Sequence, residues 1–185
     1  MSESIDNEKT TLSVHENPGE LRLAGVIRES IVDGPGLRFA IFCQGCPHGC
    51  EGCHNPETHD FEGGFDCTID RVLDAVDKNP LLAGVTFSGG EPMCQAEGFY
   101  HLGVELKKRG LNLMCYSGWT YEELLEKAKD EPYVGKLLDI LDYLVDGRFV
   151  LAERDLSLTF RGSRNQRFID LNKTREAGEV VLAEE

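Results

Sequence analysis

The stretch "TIDRVLDAVDKNPLLAGVTFSGGEP", Thr68 to Pro92, changes its hydrophobic period part-way. Ile69, Val72, Leu73 and Val76 fall on one helical face, with Thr68 in N-cap position and Pro80 as a stop. "AGVTFS" then reads as a short buried strand, and "GGEP" as the turn that opens the next helix. The pattern repeats downstream. Ala96 to Arg109 carries Phe99, Leu102 and Leu106 on one stripe and ends at Gly110, a left-handed cap position. "LNLMCYS" is the next strand, Thr120 and Glu123 form a capping box that opens a helix to about Ala128, and "YVGKLLDIL" after Pro132 supplies another helix. "DYLVD" is strand-like, as are the weaker "LSLTF" and "RFIDL". Upstream, "RLAGVIR" and "LRFAIFC" are strands flanking the turn "VDGPG". Strands thus alternate with helices from Leu37 to Asp146, which predicts an α/β fold with a parallel sheet covered by helices. A closed eightfold barrel typically takes about 250 residues, so an open partial (βα) barrel fits this length better.

The chain has 185 residues, 41% of them hydrophobic and 28% charged, the composition of one soluble domain. Residues 1–20 read as a flexible acidic arm, 21–171 as the ordered body and 172–185 as an acidic tail. No apolar run reaches the roughly 20 residues of a membrane helix, and the N-terminus lacks the basic start and apolar core of a signal peptide. A cytoplasmic location is expected, with no membrane partner. With a net charge of -14 and no basic stripe, nucleic acid is not an expected partner either. Seven cysteines without an export signal should remain thiols.

Four of those cysteines crowd into "FCQGCPHGCEGCHNPETHD", Phe42 to Asp60. Cys43, Cys46, Cys50 and Cys53 would supply a tetrahedral zinc site, but zinc ribbons separate their two C-x-x-C pairs by a dozen or more residues, and here three intervene. Phe39, Ile41 and Cys43 alternate with Ala40 and Phe42, so Cys43 also reads as the last apolar residue of a strand. Without it, Cys46, Cys50 and Cys53 remain as three thiolates on one short loop, a spacing suited to an iron-sulfur cluster with one iron open. Cys67, Cys94 and Cys115 are isolated and read as packing residues.

C-x-x-x-C-x-x-C after a first strand resembles the radical S-adenosylmethionine superfamily, and "TFSGGEP", Thr86 to Pro92, resembles its GGEP motif. "SIVDGPGLRFAIFCQGCPHGCEGCHNPETHD" is similar to the activating enzymes of glycyl radical enzymes, where V-D-G-P-G-x-R precedes the cysteines and C-x-N-P follows them. "YSGWTYEEL", "VDGRFV" and "FRGSRNQRFIDL" resemble the short branch that activates the anaerobic ribonucleoside-triphosphate reductase. Gly52 stands where the superfamily usually has an aromatic residue, a departure that this branch shares. The inserted ferredoxin-like domain of longer relatives is missing.

The resemblance implies a radical S-adenosylmethionine type of partial barrel, with a 4Fe-4S cluster on Cys46, Cys50 and Cys53 and S-adenosyl-L-methionine as cosubstrate. An external donor such as flavodoxin or ferredoxin would reduce the cluster, and a 5′-deoxyadenosyl radical would take hydrogen from a glycine of the reductase. Gly52 and His54 are expected to line the cosubstrate, and Gly89, Gly90 and Glu91 to face its methionine end. Ser117 and Asp146 are expected to reach ribose or a bound cation, and Asp33 and Arg38 to orient the partner's glycine loop. The role of Asn165, Gln166 and Arg167 is open. Two alternatives remain: an activator of another glycyl radical enzyme, such as pyruvate formate-lyase, and a non-catalytic zinc-binding interaction module.

Overall fold

The computed structural model describes residues 19–184, so the expected N-terminal arm lies outside the described residues except for its last two positions. Seven strands form one sheet: β1 (Glu20–Ser30), β2 (Arg38–Cys43), β3 (Phe65–Thr68), β4 (Gly84–Gly89), β5 (Asn112–Ser117), β6 (Tyr143–Asp146) and β7 (Arg167–Asp170). The order is β3-β1-β2-β4-β5-β6-β7, and the two ends are left unpaired with each other. The sheet is therefore open, as the chain length requires.

β2, β4, β5 and β6 are parallel, each joined to the next by a helical crossover. The rest of the sheet departs from the all-parallel expectation. β1 pairs antiparallel with both β2 and β3, and β7 antiparallel with β6. For β1 and β2 the cause is connection length: the "VDGPG" turn between them is too short for the dozen or more residues of a parallel crossover.

The helices are α1 (Ile69–Val76), α2 (Ala96–Lys108), α3 (Tyr121–Lys127), α4 (Pro132–Ile140) and α5 (Leu171–Ala177). Thr68 Oγ1 accepts from Arg71 N–H at 3.3 Å, and Thr120 with Glu123 makes a complete capping box. Period-2 alternation gives the sheet two faces with different contents. Phe39, Ile41 and Cys43 join Val85, Phe87, Leu113, Cys115 and Leu144 in the main core, packed with Val72, Phe99, Leu102 and Leu137 of the helices. The residues between them, including Arg38, Phe42, Ser88 and Tyr116, therefore lie on the inner face of the open barrel.

Two segments differ from their sequence reading. "LSLTF" is not a strand: residues 156–160 form turns and bends, with Phe160 at φ 59°, and the outer edge of β7 is taken instead by residues 181–183. Residues 172–184 are no tail. α5 continues from β7, ends at left-handed Gly178, and the chain returns to bond Asp170 N–H to Val181 O at 2.9 Å and to bridge Ile169 with Leu182.

Asp142 ties the helix layer to the sheet. It accepts from Leu113 N–H at 2.7 Å, from Lys107 Nζ at 2.9 and 3.0 Å and from Asn172 Nδ2 at 3.1 Å. Burial pushes its carboxyl up, but these donors outweigh burial and hold it below the usual 3.8. A folded pKa below the unfolded one gives stability that is present above about pH 4 and lost as pH falls through the depressed value. Asp142→Asn should lower the urea midpoint at pH 7 and make the remaining stability less dependent on pH in acid. An acid limb identical in wild type and variant would argue against this role.

Candidate active site

β2 delivers the cysteine loop. Cys43, its last residue, is wholly buried and aligned with Gly89 of β4, so its sulfur belongs to the core and not to the loop. Beyond it, Gly90 N–H donates to Cys43 O and Glu91 N–H to Gly45 O, both at 2.8 Å, which sews the GGEP turn to the base of the loop. Gly89 has φ 94°, and a Cβ there would stand 2.5 Å from Cys43 N. Only glycine allows β4 to end against β2 this closely.

The far side of the loop is held by Gln44 and Gln95, which the sequence reading passed over. Gln44 Nε2 donates to Glu57 O at 3.0 Å and Asp60 O at 2.6 Å. Gln95 Nε2 donates to Gln44 O at 3.1 Å and Arg22 O at 2.9 Å. These two amides join the base of the loop to its return segment and to β1.

Cys46, Cys50 and Cys53 are partly exposed on this frame, each preceded by a glycine of positive φ. Cys53 Sγ accepts from Asn55 N–H at 3.4 Å. Burial pushes the Cys46 thiol up to about 11, while the backbone N–H of His48 bonds its sulfur and works against that shift. N–H donors of this kind favour the thiolate, the form that binds metal. Among the described residues, no three His, Cys, Asp or Glu side chains converge on the single point that one ion would need. Zinc would require four ligands, with Zn–S about 2.3 Å, and the candidate fourth sulfur, Cys43, is in the core. Three separated thiols suit a multi-iron cluster instead.

A cleft of about 630 Å³ opens on the inner face, beside this loop, at the carboxyl ends of the parallel strands. Its wall includes Cys53, His54, Gly89, Asp33, Tyr116 and Phe149. His54 packs on Phe149, with ring centroids 5.1 Å apart. Gly52 is exposed and faces Phe149 and Leu151; a Cβ there would meet Leu151 Cδ1 at 3.0 Å. The space of a side chain before the third cysteine is thus filled from the segment after β6. Arg161 and Phe160 line the same cleft, and Tyr116 Oη donates to Phe160 O at 2.8 Å.

Four expected contacts are not found in the cleft. Arg38 is wholly buried on the inner face: Nε donates to Thr86 Oγ1 at 2.6 Å, and the terminal nitrogens to Pro35 O, Val85 O and Asn112 O at 3.0, 2.9 and 3.2 Å. It braces three strands and has no surface to offer a docked loop. Glu91 is also wholly buried, and its carboxylate accepts from Met93 N–H, His48 Nε2, Ser117 Oγ and Gly118 N–H. Its side chain is used internally. Ser117 is committed to Glu91 and to Trp119 N–H at 3.2 Å. Asp146 accepts from Tyr121 N–H at 2.7 Å and from Arg167 Nε at 3.0 Å, tying α3 and β7 to the end of β6. Asp33 does line the cleft, and its backbone O accepts from Thr86 Oγ1 at 2.6 Å.

The open question of Asn165, Gln166 and Arg167 receives a geometric answer. Gln166 Oε1 accepts from Gly162 and Ser163 N–H at 2.9 and 3.2 Å while its Nε2 donates to Gly147 O at 2.9 Å. Asn165 Nδ2 donates to Arg148 O at 2.8 Å. Together with the Arg167–Asp146 pair, they staple the segment between β6 and β7 that forms one wall of the cleft.

Residues 32–169 match the family described as the 4Fe-4S single cluster domain. The chain belongs to that family. This 4Fe-4S single cluster protein is 32% identical over 144 residues to an anaerobic ribonucleoside-triphosphate reductase-activating protein of Vibrio cholerae, covering 74% of this chain and 89% of that one. It is 34% identical over 114 residues to a pyruvate formate-lyase-activating enzyme of Clostridium pasteurianum, covering 57% of this chain and 48% of the relative. The crystal structure of QueE from Escherichia coli superposes with a TM-score of 0.42 and 17% identity, over 63% of this chain and 58% of that one. No helix among the described residues is long and apolar enough to cross a membrane.

Proposed function

We propose that this 4Fe-4S single cluster protein is a radical S-adenosylmethionine enzyme that activates the anaerobic ribonucleoside-triphosphate reductase by generating a glycyl radical on it. The carrying observation is the meeting of the Cys46–Cys53 loop with the Gly89–Gly90 backbone beside a cleft of about 630 Å³. Small-molecule sites span about 300–1,000 Å³, and in open α/β sheets they lie at strand carboxyl ends, as here. Nearly full-length similarity to the reductase activators, against 48% coverage of the pyruvate formate-lyase activator, supports the first partner over the second.

Cys46, Cys50 and Cys53 would hold the cluster, which, once reduced by a donor such as flavodoxin or ferredoxin, supplies the electron that splits S-adenosylmethionine into methionine and a 5′-deoxyadenosyl radical. The chain's own work is binding, orientation and exclusion. Gly89 and Gly90 bring bare backbone to the methionine end, where a side chain would collide with β2 at Gly89 and with Gly45 O at Gly90. Ile27, Phe42, Phe149 and Phe160 make much of the cleft wall apolar, which keeps water from a reactive radical. Arg161 adds a cationic group to that wall.

Anaerobic reconstitution with iron and sulfide, reduction, and addition of S-adenosylmethionine should yield methionine and 5′-deoxyadenosine. On mixing with the reductase, a glycyl radical signal should appear by electron paramagnetic resonance. A colourless protein that retains one zinc per chain, or a reduced cluster that leaves S-adenosylmethionine intact, would overturn the reading. A radical on pyruvate formate-lyase and none on the reductase would transfer it to the other partner.

A further inference from the structure

His48 lies in the middle of the cysteine loop, and neither the family motifs nor the cleft account for it. Its side chain is 4% exposed, and Nε2 lies 2.7 Å from Oε2 of the wholly buried Glu91. The same oxygen accepts from Ser117 Oγ at 3.1 Å and Gly118 N–H at 2.8 Å, while Oε1 accepts from Met93 N–H at 3.1 Å. The imidazole stands edge-on to Trp119, with centroids 4.6 Å apart, and Lys127 Nζ sits 4.7 Å from the centroid of that indole. Gly118 completes the slot: a Cβ there would be 2.3 Å from His48 Cδ2.

We propose that His48 and Glu91 are positioning residues that clamp the cysteine loop to the carboxyl ends of β4 and β5. The bond fixes where Cys46 and Cys50 stand relative to the Gly89–Gly90 backbone. Elsewhere the loop is held at its base, by Gly45 N–H to Thr58 O at 2.8 Å, Cys46 N–H to His59 O at 3.1 Å and Glu91 N–H to Gly45 O at 2.8 Å, and near Cys53, where Gly52 and His54 lie against Phe149; His48 adds a point of attachment between Cys46 and Cys50. Glu91 is suited to the role because its four donors come from three segments: the cysteine loop, its own turn and the end of β5. Three of these four donors do not involve the histidine. The inference rests on the proposed function for its consequence in S-adenosylmethionine binding, but not for the clamp itself.

The first test is thiol alkylation of the cluster-free full chain, with His48→Ala, His48→Gln and Gly118→Ala compared with wild type. Gln places an amide nitrogen near the position of Nε2 and should keep the bond, whereas Gly118→Ala keeps both partners but fills the slot. Loss of one hydrogen bond to a charged group allows roughly ten- to hundredfold faster labelling of Cys46 and Cys50 in His48→Ala and Gly118→Ala, with His48→Gln near wild type. Equal labelling rates in all four proteins, or His48→Gln as fast as His48→Ala, would overturn the clamp. The second test is the paramagnetic resonance spectrum of the reduced cluster titrated with S-adenosylmethionine. His48→Ala should need at least about tenfold more cosubstrate for the same spectral change, and an unchanged titration would remove the positioning role. Because alkylation is read without cluster or cosubstrate, failure of the proposed chemistry leaves its result intact.

Discussion

Replacing Cys46, Cys50 or Cys53 by Ala is expected to abolish the cluster and all 5′-deoxyadenosine formation, while Cys43→Ala keeps the full iron content. The contrast follows from where the four sulfurs lie. Three are partly exposed, each just after a glycine of positive φ, and the fourth is wholly buried among Ile41, Phe87 and their neighbours. Losing a ligand removes a bond that nothing else on the loop replaces. Losing the Cys43 sulfur leaves a small cavity, which costs about 1 kcal/mol by analogy with deleting one buried methylene. Iron and sulfide per chain, with a melting curve for each variant, distinguish the two kinds of loss. Iron content that falls as far in Cys43→Ala as in the other three, at an unchanged melting temperature, would return Cys43 to the ligand set.

Arg38→Met should destabilise the protein without changing how the folded fraction meets its partner. The guanidinium makes four hydrogen bonds inside the open barrel, and burial pulls its pKa down to about 10, so it remains charged at neutral pH. Methionine fills most of the volume but leaves Thr86 Oγ1 and the carbonyls of Pro35 and Asn112 short of a donor. Orphaned buried acceptors cost about 1–3 kcal/mol each, partly offset by removing a desolvated cation, so a net loss of roughly 3 kcal/mol is expected. For a chain of this size that is about 6–12 °C in melting temperature. A variant of unchanged stability with weakened activation of the partner would restore the docking role that the sequence suggested.

The βα alternation, the caps at Thr68 and Thr120 and the strand character of Cys43 were legible because each depends on residues within one or two turns of chain. The same is true of the cysteine spacing, which is a property of one loop. "LSLTF" shows the limit of such local patterns. It has strand composition, yet β6 and β7 pair with each other across it and the outer edge of β7 is taken by residues 181–183. The acidic composition after Leu171 likewise concealed a helix that is stabilised by docking on β6 and β7 rather than by its own amphipathicity.

The sequence by itself determined which residue types sit where along the chain: three thiols on one loop, a Gly-Gly turn after a strand, and an order of elements that fits an open α/β sheet. Which polar side chains face the cleft and which serve the framework was decided by tertiary structure. Arg38 and Thr86 are 48 residues apart, and His48 and Glu91 are 43 apart. The parallel register of β2, β4 and β5 brings these pairs together and leaves Arg38 and the Glu91 carboxylate wholly buried. A motif names an acidic or basic residue; only the face of the strand and the partner across the sheet decide what its charge is used for.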